Sequence, residues 1–548
     1  MINHERKGAL RPAAPFLFER RQAAAGQLAV CIALALGAPA VQAMPLADTD
    51  TYSVRFDNTI KYSLGVRTES PSDTFLDNPN GNDGDARFDK GSLITNRLDL
   101  LSELDFSLKD AYQSGFRISA AAWYDDVYAG GAKNVGENYN PDSVDSNEYV
   151  DRAERLHGQD AEILDAFFHS GVDVGGHDLN FRLGRHTLLW GQSLFRAGNG
   201  IAYGQAPIDV IKAASVPGTQ AKELFLPVNQ LSSSFALNEQ WNVEAYYQFE
   251  SRESRIPVPG TYWSPIDFAY RGGERLLLGP SPFGPAYLRY SGSDEADSTG
   301  ENWGVALKYY DLESGWDVGF YYVKFADRLP QVVTNIDPTA SPIIGPSGMQ
   351  VGEYRLVTPT DIDIVGMSFS TTVLDANVGA EISVRNNMPL VSAGFFSPDS
   401  KSEFATGDTA HAQVSMIWVA PRTSLWDSAT VLAEAGIHHL YHKDDPFNVY
   451  SGNDKTAYGA TAVFEPSWLG VRPSLDLSMP ITLAHNFNDN SPIDPTWIGN
   501  GGSVSVGMSF NYQRMWRGGV SYTMFTGADS KNVFADRDNL MFTVSRSF

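Results

Sequence analysis

The chain has a single cysteine in 548 residues, no repeated apolar runs of helix-spanning length, and no positive excess. One cysteine, Cys31, excludes an internal disulfide framework and a cysteine-rich zinc site. Without repeated apolar stretches of about 20 residues the chain is not a polytopic helical membrane protein. A formal net charge of −24 lacks the basic footprint that phosphate binding needs, so nucleic acid is not a partner. Charged residues are only 19%, while aromatics reach 12% and glycines number 49. Such a length commonly divides into several soluble domains. The alternative is a membrane protein whose apolar residues follow a period other than that of the helix.

Residues 1–43 read as a secretory signal peptide. Arg20 and Arg21 close a basic stretch, Leu28 to Leu36 form a short apolar one, and Val41-Gln42-Ala43 is a small-residue cleavage site, so the exported chain is expected to start at Met44. Cys31 lies inside this segment with Val30 before it and Ile32 after it, which does not fit a lipidation site. Removal of the segment takes five basic and two acidic residues and leaves a net charge of −27.

Beyond it the pattern is strict alternation. Tyr52, Val54, Phe56, Ile60, Tyr62, Leu64 and Val66 share one parity; Arg55, Asp57, Thr59, Lys61 and Arg67 share the other. Successive strand side chains point to opposite faces, so this is a strand with one apolar and one charged side. The same alternation recurs at 98–108, 241–249, 378–385 and 504–512. In a soluble sandwich the apolar face would meet a second sheet; in an outer-membrane barrel it meets lipid and the polar face lines a lumen. Strands of nine to sixteen residues suit a tilted bilayer crossing. Aromatics near strand ends (Tyr52, Trp123, Tyr124, Trp241, Trp303, Tyr309, Trp316, Trp418 and Trp516) suit interfacial girdles.

Short turns are expected near 110–114, 171–177, 238–240, 311–315, 373–376, 420–428, 466–470 and 513–517. Long connections are expected near 68–91, 128–160, 191–228, 251–301, 327–361, 387–408, 441–455, 484–502 and 527–537. Eight short and nine long connections join about eighteen strands, or sixteen if two boundaries merge. The reading is therefore all-β: one antiparallel transmembrane barrel over 44–548, with short periplasmic turns and long extracellular loops. The Pro/Gly-rich stretch 256–285 is read as loop. Leu540, Phe542, Val544 and Phe548 alternate to a terminal aromatic, a signal for the barrel-assembly machinery, interrupted by Arg546.

Chemical motifs are sparse. Residues 77–85, rich in Asp, Asn and Gly, fail the EF-hand register and read first as a turn cluster, with calcium as the alternative. His438 and His442 share a strand face but stand roughly 13 Å apart, too far to chelate one metal, so a solvated histidine group near the rim is expected. No G-x-S-x-G elbow occurs and nothing brings His411 or His485 to a serine, so neither catalysis nor a cofactor is expected. The connection 191–228, carrying Asp209, Lys212, Lys222 and Glu223, either folds into the lumen as a constriction or packs on the surface.

The run Phe88–Glu103, Arg182-Leu183-Gly184-Arg185 with Trp190-Gly191-Gln192, Pro207-Ile208-Asp209, and Glu381–Arg385 with Pro389-Leu390 resemble an uncharacterised family of proteobacterial outer-membrane barrels. Gln192 stands where that pattern has glutamate. The resemblance implies a large channel associated with lipid-type, steroid or aromatic catabolism, working beside an inner-membrane permease of the resistance–nodulation–division type.

By parity, Arg97, Asp99, Glu103, Asp105, Arg182, Glu244, Glu381, Arg385 and Glu434 are expected to line the lumen, whereas Arg185 falls on the opposite parity from Arg182 and belongs at the rim or on a bulge. An Arg or Lys on the lipid face at mid-membrane would cost about 2–4 kcal/mol, which is why charge of both signs is kept inside. The expected function is porin-like passage of small organic or hydrophobic molecules across the outer membrane. Two alternatives stand beside it: a lipid-handling transport component coupled to an inner-membrane permease, and a barrel-borne enzyme. Outer-membrane lipid and lipopolysaccharide are the expected surroundings.

Overall fold

A computed structural model describes residues 45–548 except 137–138, 220, 295–301, 312, 337–338, 392–402 and 445–453. The expected signal peptide and Cys31 lie outside the described residues. Eighteen antiparallel strands close into one barrel. In chain order they are β1 Tyr52–Arg67, β2 Leu93–Leu108, β3 Gly115–Asp125, β4 Gln159–Asp173, β5 Asp178–His186 and β6 Val228–Ala236. Next come β7 Trp241–Gln248, β8 Trp303–Asp311, β9 Trp316–Phe325, β10 Ile362–Val373, β11 Ala376–Pro389 and β12 Thr406–Ala420. The last are β13 Ser428–Lys443, β14 Thr456–Arg472, β15 in two pieces (Leu475–Ser478 and Ile481–Asn486), β16 Gly502–Tyr512, β17 Trp516–Thr526 and β18 Asn539–Ser547. Each strand pairs with its successor, and β18 pairs back onto β1 from Thr59↔Ser547 to Arg67↔Asn539. A short segment, Pro45–Asp48, adds to the periplasmic end of β1.

The alternation dictates the sidedness. Ile382, Val414 and Ile437 occupy one face of β11–β13 and are 42–53% exposed, while their neighbours Glu381, Gln413 and Gly436 point the other way and are buried. Apolar side chains stay exposed in this pattern only where lipid covers them, so the barrel is a transmembrane one of the outer-membrane type. Among the described residues no helix is long and apolar enough to cross a membrane. Aromatic pairs mark the outer face: Trp241 with Tyr309 at 4.9 Å and Trp303 with Tyr322 at 5.3 Å between ring centroids.

Three details differ from the sequence expectation. Trp123 is not part of a girdle: it pairs in register with Asp99, faces inward and is 7% exposed, with the Arg97 guanidinium 5.3 Å from its ring. The turn placed at 466–470 lies instead at 473–474, because β14 runs on to Arg472. Pro466 does not stop it, since its carbonyl still accepts from Met479 N at 3.0 Å. Pro480, opposite, is what splits β15. Finally, 256–285 is not wholly loop. Arg275–Ser281 and Gly284–Asp294 join Gln331–Asn335, Ile343–Gly345 and Gly348–Val357 in a separate five-stranded extracellular sheet with one parallel pairing.

Arg546 sits on the outer parity at the periplasmic end, opposite Trp516 and Ile60. Its guanidinium lies 5.1 Å from the Trp516 ring and 5.8 Å from that of Phe548, so two aromatic faces stand in for water around the charge.

Closure requires a close approach at Gly65, where a Cβ would collide with Met541 Sδ and stand 2.8 Å from Ile94 Cγ1. Gly65→Leu is expected to weaken the β1–β18 seam by about 1–3 kcal/mol. The check is the fraction of chain that migrates as folded barrel in unheated electrophoresis, which should fall.

Candidate functional site

The connection between β5 and β6, residues 187–227, reaches inward-facing groups on most of the wall. Two of these are carboxylates. Glu381 on β11 accepts from the backbone N–H groups of Gln192, of Ser193 at 2.9 Å and of Ile201 at 2.9 Å. Glu434 on β13 accepts from the N–H groups of Leu194, Phe195 and Arg196 at 3.2, 2.6 and 2.8 Å, and from the Ser193 hydroxyl at 3.1 Å. Consecutive N–H groups curled round an anion form a nest, and charge-assisted bonds of this kind are the strong ones.

Around them the wall supplies complementary groups. Arg385 donates to the carbonyls of Gly198 and Gly200 at 2.9 and 3.0 Å. His411 Nδ1 and Asn199 Oδ1 meet at 2.8 Å. Trp190 Nε1 donates to Glu244 on β7 at 2.7 Å, and Glu244 also pairs with Lys308 at 3.0 Å. Trp190 and Ile201 pack with Tyr246, Tyr321, Val323, Phe325 and Ile364 from β7, β9 and β10. Glycines make the room: a Cβ at Gly304, Gly366 or Gly379 would stand 3.0 Å from Trp190, 3.1 Å from Ile201 or 2.8 Å from Gln192. These inward glycines lie on β8, β10 and β11, under the inserted segment. At Gly191, φ is +97° and a Cβ would collide with Glu381, so that position requires glycine twice over.

The second half of the segment docks on β1–β4 through charge. Asp209 caps the short helix Val210–Ser215, accepting from Lys212 N at 2.8 Å, and pairs with Arg255 at 3.0 Å. Lys212 pairs with Glu223 at 3.1 Å; Lys61 on β1 approaches the same carboxylate at 3.7 Å. Lys222 pairs with Glu103 on β2 at 2.6 Å. Glu103 also meets Arg117 on β3, which bridges to Asp105 at 3.0 Å and Asp165 at 3.3 Å. Arg97 and Asp99 pair with each other at 2.9 Å. Between wall and segment, an enclosed space of about 10 Å³ is lined by Arg97, Trp123, Glu162, Asp209 and Lys212, room for about one water. His157, just before β4, is buried near Arg97 and Arg152, and burial pushes its imidazole down to about 3; neutral, its Nε2 accepts from Val258 N at 3.2 Å.

Of the residues singled out by parity, Arg97, Asp99, Glu103, Glu381, Arg385 and Glu434 are 1–7% exposed, covered by the segment or by each other. Asp105 and Glu244 are half-buried, and Arg182 is exposed on the inward face of β5 beside Ser232. Arg185 is half-buried at the strand's extracellular end, where Nε donates to Pro227 O at 3.4 Å. Asp209, Lys212, Lys222 and Glu223 all dock on β1–β4, in three groups of ion pairs centred on Arg255, Glu223 and Glu103. Sequence reading set Lys61 on the charged face of β1 but not among the lumen residues, weighed His411 only for catalysis, and did not name Arg117 or Asp165, although parity alone places Arg117 inside. Trp190 entered only as part of the family motif, and no local signal marks Gln205, whose Oε1 accepts from Trp190 N at 2.6 Å, or Arg328, which donates to Gly204 O at 2.7 Å.

His438 departs from expectation. It is 1% exposed, not solvated, because it faces inward beside His411, stacks 4.3 Å from Trp497 and meets Ser491 Oγ at 2.6 Å. His442 is at the rim. Among the described residues, Asp408, His442 and Asp444 form one group whose candidate metal-ligand atoms lie within 4.8 Å of one another.

The opposite wall is different in kind. The register sets Ser503, Ser505 and Ser509 on β16, Ser521 and Thr523 on β17, and Thr543 and Ser545 on β18 side by side on the inner face. These keep partial exposure. Phe525, Met541 and Arg517 share this face, so the interior is divided into a filled sector and one lined mainly by hydroxyls.

A sequence model of the family described as "Protein of unknown function (DUF1302)" matches residues 24–548. No curated protein matches the chain. Among solved structures, OccAB4 of Acinetobacter baumannii is 10% identical, with 92% of this chain and 100% of that chain covered and a TM-score of 0.43. OccK11 (OpdR) of Pseudomonas aeruginosa is 7% identical over 90% and 96%, with a TM-score of 0.41. The outer membrane channel DcaP of Acinetobacter baumannii is 10% identical over 92% and 99%, with a TM-score of 0.37.

Replacing Glu381 or Glu434 by alanine strands three backbone donors each. That should cost about 1–3 kcal/mol locally and speed amide hydrogen exchange over residues 192–201 by about 10- to 100-fold. Exchange read by mass spectrometry checks it, with the strand amides as internal control.

Proposed function

Because the chain belongs to the DUF1302 family and folds as a porin-like outer-membrane barrel, we propose that it passes small organic molecules along the hydroxyl-lined sector, with residues 187–227 setting the aperture. One observation carries this reading: the segment is fastened to β11 and β13 by Glu381 and Glu434, while the inner face of β16–β18 keeps partial exposure. Serine and threonine hydroxyls both donate and accept, so this sector can exchange hydrogen bonds with a passing polar solute without holding it by charge. Across the lumen, Glu103, Asp105, Arg117 and Asp165 present both signs toward the periplasmic half. Fixed charges of both signs orient a dipolar or amphipathic solute without chemistry.

The wall aromatics Tyr246 and Tyr321, covered by Trp190 of the segment, support extending the solute class toward hydrophobic molecules once the segment shifts from them. Recognition of the C-terminal strand by the assembly machinery, contact with lipopolysaccharide and coupling to an inner-membrane permease belong to the same proposal. Copurification with such a permease would support the coupled form.

The test is conductance in planar bilayers together with solute uptake into vesicles. The native protein is expected to show small, well-defined conductance steps, and the Glu381→Ala, Glu434→Ala double variant steps several-fold larger. Asp105→Asn with Asp165→Asn should shift the permeability ratio toward anions, since two negative charges leave a lumen that keeps Arg117. Neither conductance nor uptake in any variant would sink the channel reading.

A further inference from the structure

The extracellular mouth carries two buried carboxyl groups that no feature of the passage above uses. Asp83 opens the short helix Asp83–Arg87 in the β1–β2 connection, and Asp267 lies in the β7–β8 connection; they are 1% and 0% exposed. Asp267 Oδ2 accepts from the backbone N–H of Asp83 at 3.2 Å, so the second carboxyl is held against the residue that bears the first. A third connection, β3–β4, joins them: Asn140 N donates to Asp83 Oδ2 at 3.1 Å. Asn140 is fixed in turn by Arg275, whose Nε donates to its carbonyl at 2.7 Å. Asp267 N donates to Asn80 O at 2.9 Å, and a Cβ at Gly84 would stand 3.1 Å from Ser264 O, so the connections meet backbone to backbone. Asp267 Oδ1 is buried with no hydrogen-bond partner among the described residues.

Two carboxylates cannot both be ionised in so dry a place without a compensating charge. A cation is one way to compensate and a proton is the other. The surroundings disfavour a cation. Arg87, Arg275 and Arg537, from three different elements, repel a further cation, yet among the described residues none of them pairs with Asp83 or Asp267: Arg87 and Arg275 donate to backbone carbonyls, Arg537 pairs with Asp85 at 2.6 Å, and the neutral phenol of Tyr139 completes the shell.

We propose that Asp83 and Asp267 are a proton-held latch of the extracellular mouth, closed when the pair carries a proton and released when both carboxyls ionise. Burial and the neighbouring carboxyl push Asp83 well above its usual range, and burial above all lifts Asp267 to about 7. In the opened junction both groups return to water and to ordinary values near 4. Between about pH 4 and 7 the closed junction therefore binds more protons than the open one. Its advantage is full below about pH 4 and is lost as pH rises through about 7, changing about tenfold per unit for one proton. As a gate on solute entry, the latch rests on the channel reading; as a structural equilibrium, it does not.

The experiment is amide hydrogen exchange at pH 5.5 and 8.0 on the full chain in lipid nanodiscs, corrected for the intrinsic pH dependence and read over residues 78–88 and 260–268. The expected result is exchange about 10- to 30-fold faster at pH 8.0 in the native protein, with strand amides unchanged. Asp267→Asn, neutral at both pH values, should keep the acid-like protection at pH 8.0. Asp83→Asn should do the same and serves if the first variant folds poorly. An equal rate at both pH values in the native protein overturns the proposal. So does a full slope retained in both variants, which would move the titration to Asp536. Protection restored at pH 8.0 by millimolar calcium would assign the site to a cation instead. Loss of conductance in bilayers with this exchange pattern intact would count against the channel alone.

Discussion

Two carboxylates on the barrel wall, Glu381 and Glu434, take up the backbone N–H groups of residues 192–196 and 201, and the interior is arranged around that contact. A connection of some forty residues closed on itself would cost conformational entropy and leave its polar backbone in need of partners. Here those partners come from the wall. The requirement propagates outward. Glycines at 304, 366 and 379 clear the surface on which the segment rests. Arg385 answers the carbonyls that the same bend turns away from the glutamates. Trp190 anchors one end by its indole N–H and its ring.

The division of the interior follows from the same economy. Where the segment docks, the wall carries charge, aromatic rings and glycine; on β16–β18, where it does not, serine and threonine predominate, with Phe525, Met541 and Arg517 among them. On the lipid side the constraint is simpler. Apolar residues suffice between the rims, and Arg546, on that parity at the periplasmic end, is placed between two aromatic rings.

How much of this could be read in the chain depends on the range of the signal. The strands were legible because period-two alternation is local: Tyr52 to Arg67 announces both its conformation and its two faces. Inward parity likewise marked Glu381, Arg385 and Glu434. What parity cannot tell is whether an inward group meets water or protein. Glu381 was readable as a lumen charge, but its partners are 180 to 189 residues distant in sequence. Trp123 was misassigned for another reason: it and its neighbour Tyr124 were both set in the girdle, although adjacent strand residues point to opposite faces and Trp123 shares the parity that pairs with Asp99. The turn expected at 466–470 was misplaced because β14 continues past Pro466, whose carbonyl still accepts from Met479 N. The extracellular sheet escaped notice because its pairings join Tyr287 to Gln350, across connections that each look like loop alone.

The seam between β1 and β18 has a consequence for how the molecule comes into being. Thr59 and Ser547, which meet there at 3.0 Å, are 488 residues apart. At the same edge Arg67 holds Asp536 at 2.8 Å and Asp85 at 3.0 Å, so the wall and the mouth are fastened at one corner. Neither fastening can exist until nearly the whole chain has arrived, and contacts of such long range are the slow ones to form. The nascent barrel must wait as an open sheet with two unpaired edges, in need of a chaperoning surface. Pairing of its last strand both shuts the wall and brings Asp536 to Arg67 at the mouth.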